Sequence, residues 1–166
     1  MILDILKQEN ALMAQNPEKY SEDRIDEPIQ FDTPVEIVVP NGFTYTRKLM
    51  CLTLSGLPVP IITITANRSN PRKTLKQREG IFITSRVHPG ETNSSFVFKG
   101  ILEMLLKSND HMVQSLRENY VFQLIPCLNP DGVVKGNYRS SFAGVDLNRQ
   151  WVLPNEDLHP TIYNTK

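Results

Sequence analysis

At 166 residues, with 40% hydrophobic and 22% charged residues, the chain is one globular domain at most and long enough for a real core. The formal net charge is zero, yet residues 1–36 hold nine acids and three bases, a net of −6, so residues 37–166 carry fifteen bases and nine acids, a net of +6. No apolar run reaches membrane-spanning length, and Asp4 and Lys7 interrupt the apolar N-terminus, which excludes a bilayer span and the core of a signal peptide.

Residues 1–15 have helical apolar spacing (Ile2, Ile5, Leu6, Leu12, Met13), and residues 16–34 are acidic and carry three prolines, so a short amphipathic helix and an extended arm are expected. The domain division expected is therefore 1–36 as an acidic helix and linker, and 37–166 as the body. Residues 35–39, 43–54 and 59–65 read as strands, the last two an antiparallel hairpin about the Ser55-Gly56-Leu57-Pro58 turn. Residues 67–78 are basic and polar and read as a solvated loop. The run at 81–87 has the composition of a buried strand, and residues 92–107 place apolar side chains at helical spacing with a broad buried face. A second helix over 110–118 and a buried strand over 121–127 complete a β-α-β unit, whose strands should be parallel. Cys51 and Cys127 fall inside apolar strand-like runs and read as reduced core residues of a cytoplasmic protein with no disulfide framework.

His88 and Glu91 sit where the strand at 81–87 breaks at Pro89-Gly90, at the strand end where open α/β sheets hold their ligands. An imidazole and a carboxylate three residues apart across a tight turn can converge on one cation, and zinc takes both donor types. A bare His-x-x-Glu also describes an ordinary surface loop. Past Cys127 polar residues crowd in: Leu128-Asn129-Pro130-Asp131-Gly132 reads as a turn, followed by Gly136-Asn137-Tyr138-Arg139 and Gly144-Val145-Asp146-Leu147-Asn148-Arg149-Gln150-Trp151. Three arginines, Arg86, Arg139 and Arg149, thus lie on loops at the edge expected for His88 and Glu91, although each taken alone reads as a solvated surface charge. Arginine forks suit an anionic substrate end, and the +6 body suits an acidic substrate, although on charge alone it suits nucleic acid equally.

The blocks His88-Pro89-Gly90-Glu91-Thr92-Asn93-Ser94-Ser95, 128–139, 144–151 and Leu158-His159-Pro160-Thr161-Ile162-Tyr163 together resemble the M14 zinc carboxypeptidases, and within them the cytosolic carboxypeptidase branch. The resemblance spans roughly residues 43–166. It implies an α/β fold with a mixed, mainly parallel sheet flanked by helices, of which this chain would supply the front half. It implies Zn2+ held by His88 and Glu91, a scissile carbonyl polarised by Arg139, and a substrate carboxylate bound by Asn148 and Arg149. It implies a cytoplasmic hydrolase acting on protein or peptide C-terminal tails, with removal of glutamates from tubulin or other acidic tails within the branch, and neither nucleic acid nor membrane as partner. The residues themselves read compatibly, since peptide hydrolysis needs an activated water, a donor at the developing oxyanion and a grip on the chain end. Asp146 is expected to fix its loop or pair with an arginine, and Asp131 to form its turn.

In the family the third zinc ligand and the general base follow the Asp-Leu-Asn-Arg block at a distance, so both, with the residues that read the side chain removed, are expected beyond residue 166. His111 and His159 do not fit the missing place, and the 166 residues alone are expected to be an inactive part of a catalytic domain. Two other readings compete. One is an amide-cleaving relative of the aspartoacylase type, against which the Asn-Pro-Asp-Gly and Asn-Tyr-Arg blocks argue. The other is a non-catalytic binder of acidic C-terminal tails that keeps the arginines without zinc.

Overall fold

The computed structural model describes residues 35–39, 42–67 and 74–166. The helix expected over 1–15 and the acidic arm over 16–34 lie outside the described residues. Strands β2 (Phe43–Leu52) and β3 (Pro58–Ala66) pair antiparallel, as their β-branched runs and short connection require, with β1 (Val35–Val39) antiparallel on the outer side of β2. Gly56 turns the hairpin at φ +81°, a backbone conformation that costs glycine little.

Strands β4 (Glu79–Thr84) and β5 (Tyr120–Ile125) are parallel, in register from Glu79 opposite Tyr120 to Thr84 opposite Ile125. Helices α1 (Asn93–Lys107) and α2 (His111–Asn119) form the crossover between them. The order is β1-β2-β3-β5-β4, with β3 antiparallel to β5. The mixed sheet flanked by helices is as expected, but the balance differs: among the described residues one pairing is parallel and three are antiparallel. Connectivity accounts for two of these, because the short links β1–β2 and β2–β3 can join only antiparallel neighbours, and for the parallel pair, which the helical crossover permits. The third antiparallel pairing, β3 with β5, is between strands distant in sequence.

Alternation along the strands divides the core between two faces. Ile62 and Ile64 stand opposite Leu124 and Phe122, and all four are buried. On the other face Val59 and Ile125 join Leu128, Leu147 and Ile162 in a dry cluster, closed by α4 (Pro160–Thr165), which packs on β2. Arg117 of α2 is fully buried and donates from Nη1 to the Leu105 and Ser108 carbonyls at 2.7 and 3.2 Å, with its guanidinium 4.3 Å above the Phe43 ring. Carbonyls and a ring face replace the water this charge gives up, and they tie the end of α1 to α2 and β2.

Three expectations about extent change. Val87 and Cys127 lie past the ends of β4 and β5, where Ser85 and Leu128 bridge the two chains through Ser85 N–H to the Ile125 carbonyl and Leu128 N–H to the Ser85 carbonyl. Arg78, read as part of a solvated loop, is buried and donates to Thr65 Oγ1 and the Ala66 carbonyl, both at 2.7 Å. The Asn-Pro-Asp-Gly turn opens a short helix, α3 (Pro130–Lys135), because Asn129 caps it, accepting from Gly132 N–H at 3.0 Å, and proline at the first position suits a helix start.

Candidate metal and carboxylate site

The C-terminal ends of β4 and β5 and the β2–β3 turn share one edge of the sheet, because β3 runs antiparallel to β5 and starts where β5 ends. There the chain leaves β4 through Arg86, which sits at φ +53° although it is not glycine. That strain, on the order of 1–3 kcal/mol at such positions, is held by the side chain itself. Arg86 Nε donates to the Pro89 carbonyl at 2.9 Å and Nη1 to Ser95 Oγ at 3.1 Å, while Ser94 Oγ accepts from Arg86 N–H at 3.2 Å. Arg86, expected as a loop charge that is solvated or grips an anionic substrate end, is instead a clamp on the turn that presents His88.

The turn is pinned from the other side by residues 129–140. Gly90 N–H donates to the Tyr138 carbonyl at 2.7 Å, and a Cβ on Gly90 would lie 2.3 Å from the Tyr138 ring and 2.9 Å from its carbonyl oxygen. A Cβ on Gly132 would meet Pro89 at 2.3 Å. Glycine at both positions is therefore a packing requirement, and it locks the His-Pro-Gly-Glu and Asn-Pro-Asp-Gly blocks together. Asp131, expected to form its turn, is instead a buried tether: it accepts from Thr53 Oγ1 at 2.6 Å and from the Ser55 hydroxyl, drawing the β2–β3 turn onto the site loops. No local pattern around Asp131 carries that signal, since its partners lie more than seventy residues upstream.

His88 is 6% exposed. Its Nδ1 lies 2.9 Å from Glu91 Oε1 and its Nε2 lies 3.0 Å from Asp146 Oδ1. Asp146 Oδ1 also accepts from Asn148 N–H at 2.9 Å, and Oδ2 accepts from Arg139 Nε at 2.9 Å and Nη2 at 2.8 Å. Burial pushes the Asp146 carboxyl up, but the Asn148 amide, His88 and Arg139 together outweigh it and hold the group below its ordinary range. A carboxylate only accepts, so the tautomer that suits the Asp146 contact carries its proton on His88 Nε2 and leaves the Nδ1 lone pair on the Glu91 side. Two lone-pair donors 2.9 Å apart are satisfied by a further imidazole proton or by one cation between them. The donor set of imidazole nitrogen and carboxylate oxygen, with the far ring nitrogen bonded to a carboxylate, fits zinc.

Of the five site residues expected from the sequence, the structure joins His88, Glu91 and Arg139 through Asp146, and sets Asn148 and Arg149 on the 3-10 turn Leu147–Arg149 that Asp146 caps. Asp146 pairs with an arginine as expected and also orients the imidazole. Asn148 Oδ1 accepts from Trp151 Nε1 at 3.0 Å, which leaves its amide N–H groups for other partners, and Arg149 is exposed. His111 is exposed, and His159 is buried elsewhere, its Nδ1 accepting from Asn155 N–H at 3.1 Å. No group of three or more metal-binding side chains converges among the described residues.

The sequence profile described as zinc carboxypeptidase matches residues 46–165. Cytosolic carboxypeptidase 1 of Xenopus laevis is 53% identical over 131 residues, covering 76% of this chain and 11% of its own length. Cytosolic carboxypeptidase 4 of Homo sapiens is 51% identical over 126 residues, covering 74% of this chain and 11% of its own. The chain thus spans about one ninth of the curated relatives it matches. Among solved structures, a putative carboxypeptidase A from Shewanella denitrificans superposes with a TM-score of 0.65 at 30% identity, over 73% of this chain and 30% of that one.

Proposed function

The chain belongs to the zinc carboxypeptidase family, whose metal is zinc, and on that premise we propose that it supplies the ligand, carbonyl-polarising and carboxylate-binding residues of a metallocarboxypeptidase that trims C-terminal residues from acidic protein tails. The observation that carries this reading is the connected set Glu91–His88–Asp146–Arg139, in which one carboxylate orients both an imidazole and a guanidinium.

His88 Nδ1 and a Glu91 carboxylate oxygen would hold the metal. Zinc, when bound, supplies a Lewis acid and a water activated at neutral pH. Asp146 keeps the proton on His88 Nε2, so Nδ1 stays available as a ligand. It also occupies Nε and Nη2 of Arg139, leaving Nη1, which has no partner among the described residues, to donate to a substrate carbonyl as negative charge develops there. Arg149 and the free amide of Asn148 bind the terminal carboxylate and so restrict cleavage to chain ends.

Glutamate-rich tails, tubulin's among them, are the proposed substrates, supported by the +6 charge of residues 37–166. The cytoplasm is the proposed compartment: the relatives carry "cytosolic" in their names, both cysteines are free, and no described helix is long and apolar enough to cross a membrane. With two converging ligands among the described residues, the 166 residues by themselves are proposed to turn over no substrate.

The test compares the full-length protein with the 166-residue chain on peptides ending in Glu-Glu, as free acid and as C-terminal amide. Release of glutamate from the acid alone by the full-length protein, lost on chelation and restored by zinc, supports the reading. Cleavage of N-acyl amino acids instead, or chelator-insensitive release, overturns it.

A further inference from the structure

Tyr138 is 74% exposed, and its ring lies against the backbone of Gly90. The Tyr138 carbonyl accepts from Gly90 N–H at 2.7 Å, and the ring lies where a Gly90 Cβ would touch it at 2.3 Å. Before it, Gly136 ends α3 at φ +75°, and Asn137 Nδ2 donates to the Ser140 carbonyl at 3.1 Å, fixing the loop from within. The phenol makes no hydrogen bond among the described residues. Such an arrangement gains little stability: it demands glycine at position 90, with its larger entropy loss on folding, and leaves most of an aromatic side chain in water. A locally costly feature beside a candidate site is where function is expected.

We propose that Tyr138 is a substrate-binding residue, its ring and free hydroxyl receiving the peptide segment immediately upstream of the residue removed. The inference rests on the carboxypeptidase reading above. Placement gives the direction. Tyr138 packs on Gly90, between the two ligands in sequence, and immediately precedes Arg139, the carbonyl donor. Asn148 and Arg149, which take the chain end, follow Asp146 on the separate 3-10 turn. A peptide with its carboxylate on Arg149 and its scissile carbonyl on Arg139 therefore passes its preceding residue to Tyr138, since successive extended residues advance about 3.3–3.6 Å. A tyrosine with only two side-chain torsions offers rigid contact area and a hydrogen bond at little entropic cost.

The test measures binding without turnover. Full-length protein stripped of metal by chelation is titrated calorimetrically with acetyl-Glu-Glu-Glu and with acetyl-Glu. The wild type is expected to prefer the longer peptide by about tenfold, the size of one hydrogen bond plus ring contact. In Tyr138→Leu the preference should shrink to within about twofold, with acetyl-Glu affinity unchanged. In Tyr138→Phe, which keeps the ring and should fold as the wild type does, the preference should fall to about threefold. An unchanged preference in either variant, or none in the wild type, overturns the assignment. The carboxypeptidase reading fails separately, if the C-terminal amide of acetyl-Glu-Glu-Glu binds as tightly as the acid.

Discussion

The turn that carries His88 and Glu91 and the turn that carries Asn148 and Arg149 are built to opposite rules. The first is dense with internal bonds: Arg86, Ser94, Ser95 and Tyr138 hold its backbone, and Asp146 fixes the His88 ring through Nε2. The second is held at its start by Asp146, which also takes the Arg149 N–H on its carbonyl, and at Asn148 by Trp151, while the Arg149 guanidinium reaches, among the described residues, only the Asn148 carbonyl, at 3.4 Å. A metal centre gains from ligands that do not move, whereas a group that must catch a mobile chain end needs unclaimed donors. Asp146 is the joint between the two: its Oδ1 meets both His88 Nε2 and the Asn148 N–H, and its Oδ2 takes Arg139.

The largest effect should come from the bonded turn. His88→Ala removes one converging ligand and should take zinc in the full-length protein from one equivalent to near none, with activity down by on the order of 10³-fold or more, because the activated water is lost. Metal analysis and turnover on the same preparation check this. Full zinc occupancy in the variant would mean that the rigid turn serves only the fold.

Asp146→Asn tests the joint. Losing the carboxylate should weaken zinc affinity about 10- to 100-fold, the usual cost of removing a ligand's hydrogen-bonding partner, and should also free Arg139. Competition with a chromophoric chelator reads the first effect. Arg149→Ala should leave zinc affinity untouched and raise KM about 10- to 100-fold, as expected for a charge-assisted bond of about 1.5–3 kcal/mol. If Arg149→Ala loses metal as Asp146→Asn does, the two turns are not separable.

The division between these turns was unevenly legible in the sequence. The β4–α1–α2–β5 unit could be read from apolar periodicity and the hairpin from its turn, because both are local patterns. Part of the sheet's antiparallel majority follows from connectivity once the elements are placed. His88, Glu91, Arg139, Asn148 and Arg149 stood out as motif residues, but the bonds that distinguish a wired turn from an open one span 58 residues between His88 and Asp146, and no spacing rule encodes them. Arg86 and Arg78 were misread for the same reason: an arginine looks solvated until the carbonyls it serves are in place.

The smallest effect separates the packed turn from an ordinary glycine. Gly90→Ala would drive a methyl group into the Tyr138 ring and within 2.9 Å of its backbone oxygen. The backbone oxygen cannot move without breaking the Gly90 N–H bond, so a loss of about 1–3 kcal/mol is expected, as for overpacked sites. Gly100 lies on the exposed side of α1, and a Cβ there meets nothing within 4 Å. Its backbone is helical, so alanine costs no strain in the folded state and lowers the entropy of the unfolded chain. Gly100→Ala should therefore stabilise by about 0.5–1 kcal/mol, raising the urea midpoint without changing the slope. Opposite signs from the same added methyl group would show that the site turn, and not glycine as such, sets the cost. Equal and small effects at both positions would mean that the contact between the Gly90 turn and Tyr138 is loose, and the rigidity argued for the metal-binding turn would fall with it.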